Sequence, residues 1–437
     1  MAAPASDAES SRSTPSTSPS PAALDHPRIE PWKWGVIWLM FAATMLNYMD
    51  RQTMASTQVY LRKEFDLDNQ GYGRVDFAFS ISFAIMQLFA GWMADHFRIR
   101  WLFAAAVLVW SAAGLFTGLS HTLIELYACR ILLGIGESFN FICAASVVER
   151  IIPRASRSLA NGIFNGGASV GAAATPILAM FLIGANGENW RSIFLWIGGA
   201  GIIWAVVWFW VVRGPRAEVI SNAKVHSPLE PRKTEVPFLR VMAMKRFWIV
   251  FLYGAAINLT WHFYRLWFSP MFTDERHATS ADVQWYLMSF YIAADIGSMV
   301  SGWITRKLTT AHRSVVQARR MVMFGSATLC LLSGPFTYVD NLYFALPMVC
   351  LVGMGTMGCF ASYYAMAQEI SSAHTARCLG VIGSLVWFCI AVMQPLVGWI
   401  KDQIHTFQPL MIVIGFLPLI GAIIVLNWPE HEEPTVK

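Results

Sequence analysis

Apolar residues in this chain neither alternate at the period of two of a half-buried strand nor keep to one stripe of a helix. They run on for about twenty residues at a time, the length of helix that crosses a hydrocarbon layer about 30 Å thick. Such runs lie at 34–56, 76–95, 101–120, 123–147, 159–183 and 191–212, then at 247–270, 283–305, 318–338, 342–366, 378–400 and 407–427. Backbone amides in lipid must be satisfied within a helix or a closed barrel, and these runs are too long and uniform for barrel strands. The pattern predicts an all-α integral membrane protein with twelve transmembrane helices in two six-helix bundles. The expected organisation is a disordered tail at 1–33, a bundle at 34–212, a linker at 213–246, a second bundle at 247–428 and a short tail at 429–437.

Composition agrees. Only 14% of the 437 residues are charged and 56% are hydrophobic, with a mean hydropathy of +0.47, whereas a soluble chain is about 25% charged. This excludes a disulfide scaffold, a disordered regulator and a nucleic-acid-binding domain. The distribution of Lys and Arg sets an orientation. With the N-terminus inside, inner segments carry 23 of them and outer loops six: Arg62, Lys63, Arg74, Arg191, Arg276 and Lys401. That asymmetry predicts both termini in the cytoplasm and an even number of spans. The Ser/Pro-rich start lacks the apolar core of a signal peptide. The seven cysteines fall in or beside spans without metal-ligand spacing, so neither metal nor cofactor is expected.

The halves share local text at similar offsets. Gly91-Trp92-Met93-Ala94-Asp95 ends the second span and Gly302-Trp303-Ile304-Thr305-Arg306 the eighth; Arg157-Ser158-Leu159 precedes the fifth and Arg377-Cys378-Leu379 the eleventh. Duplication of a six-helix unit, giving pseudo-symmetric bundles around a midplane site, is the implied architecture.

Six ionisable residues lie well inside the predicted spans: Asp50, Arg51, Arg130, Glu137, Arg265 and Asp295. Each costs about 2.5–3.5 kcal/mol at a helix centre by insertion scales, so they must be paired or line water. Asp50 and Arg51 are about 100° apart around one helix, so Arg51 is expected toward a cavity and Asp50 toward a neighbouring helix. Arg130 and Glu137 share a face about 10 Å apart along the axis. Arg265 is expected either to read a second anionic group or to pair with Asp295. The glycine-rich stretch from Asn161 to Gly171 lacks the preceding strand and following Lys of a phosphate loop. It is expected to pack two helices closely, at a contact that moves.

The string Gly91-Trp-Met-Ala-Asp95-His-Phe-Arg98-Ile-Arg100 resembles the loop 2–3 signature of the major facilitator superfamily, with Arg98 and Ile99 departing from the usual Gly and Arg. Within it, Asn47-Tyr48-Met49-Asp50-Arg51, Arg130 to Glu137, Trp261-His-Phe-Tyr264-Arg265-Leu-Trp267 and Ala293 to Ser298 are similar to the anion:cation symporters. The resemblance covers about 33–428 and implies the major facilitator fold and proton-coupled uptake of an organic monocarboxylate. A hexuronate such as glucuronate or galacturonate, or an aldonate, is the implied cargo, moved by a monomer in the cell inner membrane. It implies Arg51 as the carboxylate ligand, with Tyr48, Gln87 and Ser362 near the sugar acid. Asp50 and Glu137 become proton sites and Arg130 the group that helps set the state of Glu137, while Gly91, Asp95, Arg98 and Arg100 serve gating.

Trp261, Tyr264 and Tyr363 are candidates to stack on a sugar ring, and Arg265 to read a further charge. Departures fall on the hydroxyl-reading side: Ala168 for Gln, Phe83 for Tyr, Ser384 for Asn, and Tyr364-Ala365 for Thr-Trp. An aromatic or dicarboxylic anion is the competing cargo. A non-transporting sensor or intramembrane enzyme lacks any supporting cluster of catalytic residues.

Overall fold

With few charged side chains and no run of turn residues, each apolar stretch has no lower-energy choice in lipid than a helix. The computed structural model describes residues 30–153, 156–183, 189–222, 237–310, 314–371 and 374–429, so most of both tails and the middle of the linker lie outside the described residues. The first half contains α1 (Pro31–Ser56), α2 (Gln58–Glu64), α3 (Asn69–His96), α4 (Ile99–Leu119), α5 (Leu123–Glu137), α6 (Asn140–Ile151), α7 (Arg157–Ile183) and α8 (Trp190–Val211). Short helices α9 (Pro215–Asn222) and α10 (Phe238–Met242) lie within the linker. The second half contains α11 (Lys245–Arg276), α12 (Ser280–Thr310), α13 (Val315–Cys330), α14 (Ser333–Phe336), α15 (Leu342–Gln368), α16 (Thr375–Ile404) and α17 (Gln408–Val425).

All twelve predicted spans fall on these helices, the fourth and ninth each broken into two. Among the described residues, nine helical segments are long and apolar enough to cross a membrane by composition alone. The spans that fall short are α1 and α11, which carry buried charges, and α13, which has 16 residues.

Packing repeats between the halves. The pairs α1·α7, α3·α5 and α4·α8 recur as α11·α16, α12·α15 and α13·α17. The halves meet through α3 with α16 and α7 with α12, which the duplication exchanges. Large apolar side chains such as Phe89, Phe181, Trp196, Trp210 and Trp303 remain exposed on the outside, as a lipid-facing surface requires. The glycine-rich α7 does pack tightly, but within one half: a Cβ on Gly167 or Gly171 would stand 2.3 Å from the carbonyl oxygens of Phe41 or Met45 on α1. Across the halves, a Cβ on Gly73 would meet Gln394 O at 2.4 Å and one on Gly398 would meet Asn69 O at 2.2 Å, because α3 and α16 touch backbone to backbone.

These cross-half bridges gather toward one end, here the distal face, where α2 and residues 277–279 and 405–407 lie. Arg62 pairs with Asp274 at 2.7 Å, Asn69 Nδ2 and Gln70 N donate to Asp402 at 2.7 and 2.8 Å, and Gln284 Nε2 donates to Ser56 O at 3.1 Å. Deeper, Tyr291 Oη donates to Gln52, Ser169 Oγ to Asp295 at 2.7 Å, and Ser384 Oγ to Ala84 O at 2.7 Å. Toward the opposite, terminal face, a Cβ on Gly91, Gly162, Gly302 or Gly380 would meet nothing within 4 Å. Tyr364 is 52% exposed there. The molecule is closed distally and open toward the face where the described chain begins and ends.

Candidate functional site

Glu137 ends α5, where the chain tightens into a three-residue turn: Ser138 Oγ donates to Ile135 O at 2.8 Å and Phe139 N to Gly136 O at 3.4 Å. Gly134 and Gly136 let α3 and α4 close on this point, since Cβ atoms there would lie 2.4 Å from Phe79 O and 2.8 Å from Trp110 N. Glu137 is thereby sealed, and α1 delivers Arg51 to it. Arg51 Nε donates to Glu137 Oε2 at 2.5 Å, with side chains 6% and 0% exposed.

The Arg51 guanidinium also lies 5.3 Å from the Tyr48 ring, 5.6 Å from Phe79, 4.8 Å from Phe83 and 5.3 Å from Trp387. Aromatic faces attract a cation by their quadrupole, which offsets part of the cost of burying it. Arg51 Nη2 and Glu137 Oε1 have no hydrogen-bond partner among the described residues. A buried pair left half satisfied is costly. The arrangement offers one guanidinium nitrogen that can donate and one carboxylate oxygen that can accept, neither engaged among the described residues.

Asp50 faces the other way, as the helical offset requires. Its Oδ1 would be 3.0 Å from a Cβ on Gly114 of α4, and its Oδ2 lacks a partner among the described residues. Arg130 is 3% exposed, and its Nε and Nη2 are likewise unpartnered. It lies 5.9 Å from the Phe194 ring and acts electrostatically on both Asp50 and Glu137.

Arg265 does not pair with Asp295, as the sequence allowed. It reaches across to α3, where its Nη2 donates to Asp76 Oδ1 and Oδ2 at 2.9 and 2.8 Å, while Asp295 accepts from Ser169. The packing sets the partners: α12 presents Asp295 to Ser169 on α7, whereas Arg265 on α11 meets Asp76 on α3. Arg265 Nε donates to His262 Nδ1 at 2.8 Å, which occupies the lone pair that a proton relay would need. The His262 ring rests 4.6 Å from that of Trp387.

The other expected residues divide. Tyr48 and Gln87 border the opening; Gln87 Nε2 lies 3.1 Å from a Cβ position on Gly383, and Gln87 Oε1 is unpartnered among the described residues. Trp261 stacks on Phe290 at 5.6 Å and meets Tyr291 edge-on at 5.8 Å, near the seam between halves. Tyr264 is not brought to Arg51: its hydroxyl is engaged with Ser333 Oγ at 2.6 Å inside the second half. Tyr363 packs on Gly254 beside Tyr253, and Ser362 is buried; it is Tyr364 that faces the opening, near enough to Tyr48 to interact electrostatically.

Near the end of α3 Gly91 is open, Arg98 between α3 and α4 is exposed, and Arg100 in the first turn of α4 lies over Trp101 and Phe209 at 5.3 and 5.4 Å. The Asp95 side chain lies outside the described residues. Arg150 ties the end of α3 to α9, donating to Ala94 O at 3.4 Å and Ile220 O at 2.8 Å.

Sequence reasoning missed Asp76, Trp387 and Phe79. Asp76 was placed at the first residue of a span, where a charge needs no explanation. In fact α3 begins seven residues earlier, capped by Asp68 Oδ1 accepting from Gly71 N at 2.6 Å. Among the described residues no cluster suited to a metal ion is found.

A family model described as Major Facilitator Superfamily matches residues 40–388. The D-galactonate transporter of Escherichia coli O6:H1 (strain CFT073) is 26% identical over 412 residues, covering 88% of this chain and 93% of that protein. The hexuronate transporter of Bacillus subtilis (strain 168) is 25% identical over 408 residues, covering 91% and 94%. Among solved structures, a bacterial homologue of the human lysosomal transporter Spinster, inward-facing and occupied, superimposes with a TM-score of 0.72 at 18% identity, over 91% of this chain and 97% of that one. A D-xylose-proton symporter gives 0.74 at 14% identity, over 91% and 98%. At such identities the two structures speak to the fold alone.

Proposed function

Because this chain belongs to the Major Facilitator Superfamily, a family of membrane transporters and not enzymes, we propose that it is a secondary transporter for a sugar acid. The cargo is an organic monocarboxylate such as a hexuronate or an aldonate, taken up together with protons. The observation that carries this reading is the buried Arg51–Glu137 pair, with one nitrogen and one oxygen left unpartnered among the described residues. The galactonate and hexuronate transporters among its relatives support the cargo class.

The geometry supplies a reason for coupling. Removing one partner of a buried ion pair costs about 3–5 kcal/mol, because the other charge is left uncompensated. A proton on Glu137 alone strands Arg51, and an anion on Arg51 alone strands Glu137. Both together leave each charge satisfied, so the loaded states are those with both ligands or neither. Asp50, with Arg130 beside it, serves as a second proton site behind this pair.

With Lys and Arg taken to mark the cytoplasmic side, the terminal face is on our reading the inner one and this arrangement is inward-open. The segments 34–212 and 247–428 then rock against each other about α3–α16 and α7–α12, with 213–246 as their tether. The distal bridges break when the outside opens.

Uptake into proteoliposomes holding only this protein tests the proposal. Sugar-acid accumulation should require an outside-acid pH gradient, and accumulation that persists when the gradient is collapsed would refute proton coupling.

A further inference from the structure

The Asp76–Arg265 pair has no part in the coupling scheme above. It joins α3 of one half to α11 of the other, and its side chains are 4% and 3% exposed. Arg265 engages both Asp76 oxygens, Ser80 Oγ donates to Asp76 Oδ2 at 3.3 Å, and Arg265 Nε is held by His262. The His262 ring lies 4.6 Å from the Trp387 ring, which in turn lies 5.3 Å from the Arg51 guanidinium. Arg265 also acts electrostatically on Glu137 and Tyr48, both neighbours of Arg51. Two arginines therefore approach one space from the two halves, with an indole between them.

They differ in how their charge is met. Arg51 and Glu137 each keep an unpartnered atom, so their pair can exchange for ligands. Asp76 meets Arg265 with both oxygens, and its charge cancels that of the guanidinium where the second end of an elongated anion would lie. A carboxylate arriving there would lose its hydration and gain no net positive charge in return. It would also meet Asp76 as a like charge.

From this geometry we infer that Asp76 is a specificity-determining residue. By neutralising Arg265 it confines the cargo to anions with a single carboxylate, held at Arg51. Without Asp76, the same guanidinium would be a ready receptor for a second carboxylate, through the bidentate fork that such groups prefer. The inference rests on the sugar-acid reading and deepens it from a class of cargo to a charge filter.

The test uses a six-carbon sugar diacid and its monoamide, which has nearly the same length and shape but one charge. Each competes against labelled hexuronate uptake in proteoliposomes of the intact protein at pH 7. The expected result is inhibition by the monoamide at a concentration at least tenfold lower than by the diacid. In Asp76→Asn that ratio should shrink at least tenfold, through stronger inhibition by the diacid. The double variant Asp76→Asn/Arg265→Gln should lose the gain. Equal inhibition of the native protein by diacid and monoamide would overturn the filter, even if Asp76→Asn failed to fold. So would a folded, hexuronate-transporting Asp76→Asn with no gain for the diacid. Absence of uptake of any sugar acid would instead overturn the cargo reading on which the filter rests.

Discussion

Glu137→Gln probes the exchange between ion pair and ligands with the least change of shape. The glutamine keeps a side-chain oxygen near Arg51 Nε, which in the native protein is 2.5 Å from Glu137 Oε2. What is lost is the charge. A hydrogen bond to an ionised group contributes about 1.5–3 kcal/mol and a neutral one about 0.5–1.5 kcal/mol. The competitor that a substrate carboxylate must displace from Arg51 is thus weaker by about 1–2 kcal/mol, which corresponds to about 5–30-fold tighter anion binding. The aromatic cage is untouched and adds no correction. Binding measured by calorimetry from pH 5.5 to 8 should show this gain at the alkaline end and little dependence on pH. Exchange of labelled for unlabelled anion across the membrane should persist, while accumulation driven by a pH gradient should be lost. Weaker binding in Glu137→Gln, or undiminished gradient-driven accumulation, would refute the reasoning.

Other outcomes follow from the same geometry. Arg51→Gln removes the charge that holds the carboxylate and should weaken binding by at least about 30-fold, the lower end of the cost of breaking a buried charged contact; calorimetry would show it. Gly114→Ala places a methyl 3.0 Å from Asp50 Oδ1. Forcing the carboxylate aside should cost about 1–3 kcal/mol of stability and move the pH profile of uptake, read by thermal unfolding and by initial rates. Gly398→Ala puts a Cβ 2.2 Å from Asn69 O, a backbone atom that cannot rotate away. The distal seam should fail to close, so outside-facing probes should label cysteines introduced into it faster than in the native protein.

The fold was legible because lipid leaves so few choices. Twelve apolar runs sufficed to place twelve spans, and the shared offsets of Gly91 with Gly302 and Arg157 with Arg377 pointed to the pseudo-symmetry that the helix pairs display. Adjacent charges on α1 could be separated by helical phase alone, and Arg51 and Asp50 do face different neighbours. Partner choice across the halves was a different matter. Whether Arg265 meets Asp295 or Asp76 depends on how α11 sits against α3, and no periodicity within one helix encodes that. Trp387 was invisible for a related reason: an aromatic residue in an apolar span reads as packing until the opposite half brings Arg51 against it and α11 of its own half brings His262. Tyr363 and Tyr364 show the limit most plainly. They are neighbours of similar chemistry, yet one packs on Gly254 and the other faces the opening, and a helix register decides between them.

The central claim is that the Arg51–Glu137 pair exchanges for a carboxylate and a proton together. It is tested most directly by measuring proton release or uptake when a sugar acid binds to the purified protein in weakly buffered solution. The account predicts that binding of the anion takes up protons at neutral pH, and that this uptake falls sharply in Glu137→Gln while the anion still binds. Anion binding with no proton change in the native protein, or with the same change in Glu137→Gln, would contradict it.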